Sequence, residues 1–117
     1  MKFYYICFME IKILETDFGA INYDYIISEK YPRGLLLFMG SYVKKEFRGQ
    51  GKFKEMLKIL FSKFPENTLI QVPLSNKKLV SLFDRLGFKK VKSIEYWGEI
   101  NVIEMEGILS SEMIKKI

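Results

Sequence analysis

Apolar and polar positions change their period several times along the chain, and each change marks an element. Met1–Leu14 is rich in aromatic and β-branched residues, the composition of a strand. Glu15–Gly19 carries Asp17 and Gly19 and reads as a turn. Ala20–Ser28 alternates loosely and pairs back on the first strand as a hairpin, although Glu15–Tyr25 also has room for a short helix. Glu29–Gly34 contains Pro32 and Gly34 and is a loop. Leu35–Val43 (LLLFMGSYV) is a near-continuous apolar run, the pattern of a strand buried on both faces. Gly40 interrupts it and marks a bulge or a close backbone approach.

From Lys52 to Phe64 the period becomes helical. Phe53, Met56, Leu57, Leu60, Phe61 and Phe64 recur at i, i+3, i+4, i+7, i+8 and i+11, and Pro65 ends the run. Thr68–Val72 is a short strand. Ser75 or Asn76 caps a second helix whose apolar face is Leu79, Leu82, Phe83 and Leu86, with Gly87 at its C′ position. Phe88–Tyr96 and Ile100–Glu106 are two strands around Trp97-Gly98-Glu99, a hairpin. The order β-β-β-α-β-α-β-β predicts an α+β fold on one mixed sheet. A parallel pair and a right-handed crossover are expected between Leu35 and Val72.

At 117 residues the chain is the size of one domain, residues 1–117. It has no histidine, which excludes Ser-His-Asp and Cys-His catalysis and any His-ligated metal. One cysteine, Cys7, excludes an internal disulfide and any CxxC metal knuckle, so no metal is expected. A lone Cys suits the reducing cytoplasm. No stretch has the ~18–20 apolar residues that span a bilayer, so no membrane partner is expected. The net charge is +5, and its densest stretch runs from Lys44 to Lys63. Such a stretch suits an anionic ligand, or simply solvates a helix face.

The chemistry concentrates between the apolar strand and the first helix, at Lys44-Lys45-Glu46-Phe47-Arg48-Gly49-Gln50-Gly51. A strand that runs into a glycine-bearing loop and a helix N-terminus places unpaired N–H groups and a positive dipole end together. Glycines let a phosphate approach that backbone. The loop is neither a GKS/GKT phosphate loop nor GxGxxG.

Arg48-Gly49-Gln50-Gly51-Lys52-Phe53, after a strand ending in Val43 and before a helix with an early Leu57, resembles the acyl-CoA loop of the GNAT-type N-acetyltransferases. That pattern is [RQ]-x-x-G-x-[GA], and Phe53 replaces its small last residue. Asn76-Lys-Lys-Leu79-Val-Ser-Leu82-Phe83-Asp-Arg-Leu86-Gly87-Phe88 is similar to the family's N-x-x-A-x-x-[LF]-[YF]-x-x-x-G-F segment, with Leu79 for Ala. The resemblance implies a mostly antiparallel GNAT-like sheet with a central splayed strand pair and helices packed on it. The helices usual between the first two strands are shortened or absent.

It also implies acetyl-CoA as the acyl donor. The amides of Arg48, Gly49, Gln50, Gly51, Lys52 and Phe53 would hold its pyrophosphate. The strand edge at Tyr42 and Val43, with Asn76 and Phe83, would line its pantetheine arm. The implied reaction is direct attack of a primary amine, of a small molecule or a protein, on the thioester. Phe83 stands where many members carry an acid tyrosine, and a phenyl ring donates no proton. Tyr42, Tyr96, Ser75 or water are the replacement candidates for the acid, and Glu46, the nearest carboxylate, or water would serve as base. The rival readings are a non-catalytic CoA-binding or interaction module of the same fold and, further off, a nucleic-acid-binding domain. A homodimer through an exposed last-strand edge, Ile100–Glu106, is also open.

Overall fold

The structure, a computed structural model, describes residues 11–96 and 100–109. The expectations for Met1–Met9, Cys7 and the turn Trp97-Gly98-Glu99 lie outside these residues. The elements are β1 (Lys12–Thr16), β2 (Gly19–Ile26), β3 (Leu35–Val43), α1 (Lys52–Phe61), β4 (Leu69–Pro73), α2 (Lys77–Arg85), β5 (Lys89–Tyr96) and β6 (Ile100–Glu106). A short 3₁₀ turn, Lys45–Phe47, lies in the loop before α1.

One six-stranded sheet carries the fold, in the order β1-β2-β3-β4-β6-β5. All neighbours are antiparallel except β3 and β4, the parallel pair that α1 connects. Among the described residues no helix lies between β1 and β3. Where a short helix had room, Thr16 and Gly19 instead close a two-residue turn at Asp17-Phe18. Gly19 is required there, because a Cβ on it would sit 2.1 Å from the Tyr42 carbonyl oxygen. The last strand, β6, is not an edge. It inserts between β4 and β5, and β5 takes the edge position that the sequence reading gave to Ile100–Glu106.

Both helices pack on one face of the sheet. α1 buries Met56, Leu57, Leu60 and Phe61, four of the six positions its period predicts, while Phe53 and Phe64 are half-buried against the same core. Each buried side chain contributes about 1.5–3 kcal/mol, several times any propensity term, so burial fixes the helix. The helix stops one turn earlier than its apolar pattern. Lys63 and Phe64 donate to Leu60 and Phe61, and these i→i−3 bonds tighten the end while Phe64 keeps its inward side, stacked on Tyr25. Asn76 rather than Ser75 caps α2, its Oδ1 accepting from the Leu79 N–H at 3.2 Å. At the other end Gly87 and Phe88 donate to Asp84 and Phe83, a Schellman closure.

On the opposite face Tyr31, Gln71 and Glu104 form a buried polar knot. The Tyr31 hydroxyl and Gln71 Nε2 both donate to Glu104 Oε1 at 2.9 Å. Lys92 Nζ stands 4.0 Å from the other carboxylate oxygen. Among the described residues no helix is long and apolar enough to cross a membrane, and no cluster of His, Cys, Asp and Glu is set to hold a metal.

Candidate functional site

The site begins where β3 stops being an interior strand. Leu35, Leu36 and Leu37 pair with Leu69, Ile70 and Gln71, and the two parallel strands then diverge. The apolar run was expected to be buried throughout, yet only Leu35–Phe38 is. Met39, Ser41 and Tyr42 are exposed, because past Leu37 no strand pairs with the β4 side of β3. A bulge sits at the same place. Asn22 pairs with Gly40 and Tyr23 with Phe38, which leaves Met39 as the extra residue beside the glycine that signalled it.

The loop after β3 is braced from the β1–β2 turn. Lys44 N–H donates to the Phe18 carbonyl at 2.7 Å. The Phe47 ring meets Phe18 edge-on, with centroids 5.2 Å apart. The Lys52 ammonium lies 4.4 Å above the same Phe18 ring and 3.4 Å from Glu55, so Lys52 holds the loop rather than facing the cleft. Arg48 Nε donates to the Val43 carbonyl at 3.0 Å, and Gln50 Nε2 to the Glu46 carbonyl at 3.0 Å. These bonds fold the loop so that Gly51, at φ 71°, becomes the N-cap of α1, two residues after Gly49 at φ 77°. Both lie in the left-handed region that disfavours a side chain. No atom lies within 4 Å of a Cβ built on either, so the space in front of them is open. The first N–H groups of α1 have no carbonyl one turn earlier to pair with.

A cleft of about 570 Å³ opens between this loop, the outer half of β3 and α2. Tyr42, Val43, Arg48, Gly49, Gly51, Phe53 and Asn76 line it, so seven of the residues expected from the sequence converge there. Gln50 and Lys52 do not line it. Phe83 is fully buried among Phe38, Phe61 and Phe88, with centroids 5.2, 6.0 and 5.3 Å away, and belongs to the core. Glu46 is exposed in the 3₁₀ turn and does not line the cleft. Ser75 is exposed and does not line it either. The side chain of Tyr96 lies outside the described part.

Lys54, from the basic stretch Lys44–Lys63, also lines the cleft, as do Lys78 and Arg85, which sequence reasoning did not single out, and no Asp or Glu does. A pocket of about 20 Å³ continues from it between the splayed strands, sharing Ser41, Asn76 and Leu79. Glu104 is a carboxylate the sequence reading missed. It lies one rung from the splay, opposite Gln71, but it is 3% exposed and held by Tyr31 and Gln71, so it braces the sheet. A second large cleft, about 670 Å³, lies at the opposite end of β3. Glu66 and Glu106 line it together with Arg33, which pairs with Glu106 at 3.6 Å, so it lacks a one-signed field.

An edge left open by a splayed parallel pair lies here beside a bulge, a glycine loop and a helix N-terminus, and the fold that carries them is similar to solved structures. Arabidopsis thaliana NAA60 in complex with acetyl-CoA superposes with a TM-score of 0.54 at 14% identity, over 78% of this chain and 65% of that one. The NatC complex bound to Gag peptide and CoA gives 0.57 at 18%, over 80% and 62%. The aminoglycoside N(6′)acetyltransferase of Legionella pneumophila gives 0.54 at 24%, over 85% and 59%. This chain has the GNAT acetyltransferase fold. It spans less than two thirds of the length of each of these three. No protein-family model and no curated protein matches the sequence. Within the GNAT fold the cleft falls between the outer half of β3 and the two helices, where the six-stranded sheet opens.

Proposed function

We propose that this chain binds acetyl-CoA in the cleft and transfers its acetyl group to a primary amine of a small-molecule or protein acceptor. The observation that carries this reading is the convergence of Gly49, Gly51 and the α1 N-terminus with an unpaired strand edge, in a cleft lined by cations and no carboxylate. The open space at Gly49 and Gly51 fits a pyrophosphate, which the amides from Arg48 to Phe53 would hold. The β3 edge at Tyr42 and Val43, together with Asn76, would flank the extended arm. The donor supplies an activated acyl carbon: the amine nitrogen bonds to it as the carbon–sulfur bond breaks, and the amine proton is balanced by one taken up at sulfur. With Phe83 in the core, Tyr42 is the phenol in the cleft able to give that proton. A cytoplasmic setting, where Cys7 stays reduced, goes with this reading.

The burial of Phe83 also favours a second reading, a CoA-binding module without turnover. One set of measurements separates the two. Thermal unfolding of the chain with acetyl-CoA at ~100 times its Kd is expected to gain roughly 2.7 kcal/mol, a shift of several degrees, with ATP giving none. Gly51→Glu, which puts a side chain and a negative charge before the α1 N-terminus, is expected to lose the shift while remaining folded. An unchanged shift in folded Gly51→Glu would remove the loop from the site. Thiol release with an amine present marks the enzyme, and binding without release marks the module.

A further inference from the structure

The cleft holds more positive charge than a pyrophosphate calls for. Arg48 and Lys54 line it from the loop and α1, and Lys78 and Arg85 line it from α2. A pyrophosphate diester carries about two negative charges, and the loop amides, Arg48 and the roughly half charge of the α1 N-terminus meet it at one end of the cleft. The α2 pair remains for another anion.

The pair is also sorted from its helix neighbours. Lys78, Leu82 and Arg85 follow at i, i+4 and i+7, so they share one face of α2, and the backbone positions of the two cations are about 10 Å apart along its axis, within reach of their long side chains from both sides of one ligand. Asp84 and Lys77 line a different groove with Val80 and Met105, on the other side of the helix. The carboxylate that could neutralise Arg85 is therefore turned away from the cleft. Among the described residues no ion pair engages Lys78 or Arg85. Like charges left together without a counter-charge repel one another, which fits a site completed by an anionic ligand.

We infer that Lys78 and Arg85 bind a second phosphate of the donor, a monoester on its nucleoside end, and so make the cleft select CoA over the same thiol lacking that phosphate. This inference rests on the cleft being the acyl-CoA site. A phosphate monoester carries close to two negative charges at neutral pH and offers three acceptor oxygens, which suits two separate cations. The phosphate binds without any bond being made or broken.

The test is titration calorimetry of the full chain with CoA and with 3′-dephospho-CoA, reading the ratio of the two affinities. The chain is expected to prefer CoA by roughly tenfold to a hundredfold, the range for one or two charge-assisted contacts. In Lys78→Gln/Arg85→Gln the ratio is expected to fall towards one. Lys77→Gln removes a charge from the opposite side of α2 and is expected to leave the ratio near its original value, whereas Lys78→Gln alone lowers it. Equal affinities in the parent chain, or a preference that survives the double substitution, would overturn the inference. So would an equal loss in Lys77→Gln and Lys78→Gln, which would make the effect a diffuse field. Failure of both ligands to bind the parent chain would instead overturn the acyl-CoA reading itself.

Discussion

Phe83 shows how one side chain separates a fold from its chemistry. In sequence it occupies a position tied to proton donation through the GNAT resemblance. In the structure it is the centre of a ring cluster with Phe38, Phe61 and Phe88 and has no exposed surface. A hydroxyl added there meets carbon on every side named, and an unmade buried hydrogen bond costs roughly 1–3 kcal/mol. Phe83→Tyr is therefore expected to lower the unfolding free energy, read by denaturant titration, by that amount and to leave turnover no higher. A variant as stable as the parent with faster thiol release would show that the para position reaches the cleft. The same scale holds what the sequence could not disclose. Tyr31 and Glu104 meet across 73 residues, and Gln71 and Tyr31 across 40. No local pattern announces such a contact, because each of these residues alone reads as loop or strand-surface polarity.

At the scale of elements the periodicities were legible and their ends were not. The helical period of Phe53–Phe64 comes from burial on one face, which sequence records directly, whereas β2 is buried on both faces and alternates only loosely. Helix ends depend on which hydrogen bonds close them. The shift to i→i−3 bonds at Lys63 and Phe64 leaves the apolar spacing intact, so the pattern overran the α-helix by three residues. The outer half of β3 failed for another reason: Met39–Val43 is apolar enough for a core, but its partner strand diverges, and a strand's spelling does not contain its neighbour's path.

The brace beneath the loop is also an element-level feature, since it joins the β1–β2 turn to the start of α1. Phe18→Ala removes the edge-on contact to Phe47 and the seat of the Lys52 ammonium, together worth roughly 1–2 kcal/mol of loop order. Phe18 lines neither the cleft nor its inner pocket. The expected result is several-fold weaker acetyl-CoA binding, with faster hydrogen exchange at the amides of residues 48–53. Exchange that accelerates while the Kd stays fixed would mean that the loop binds equally well without being preorganised.

At the scale of the whole molecule the question is what the net charge of +5 does. The resemblance fixed the fold and located the loop, but it did not show that Lys54, Lys78 and Arg85 join Arg48 around one cleft. These residues lie on two helices whose shared side appears only when both pack on the same face of the sheet. That gathering gives the rival nucleic-acid reading a sharp opponent. A ligand held by exposed cations alone loses affinity by orders of magnitude as salt rises, in proportion to the phosphates neutralised. A ligand held partly by loop amides and a helix N-terminus, at contact distance, keeps the part that salt cannot screen, since the Debye length falls only from about 10 Å at 0.1 M to about 3 Å at 1 M. Across that range the Kd for acetyl-CoA is expected to weaken by a few-fold to about tenfold and then level off, while any binding of a single-stranded oligonucleotide collapses. An acetyl-CoA affinity that falls as steeply as the oligonucleotide's would show that surface charge holds the donor, and the glycine loop would lose its place in the site.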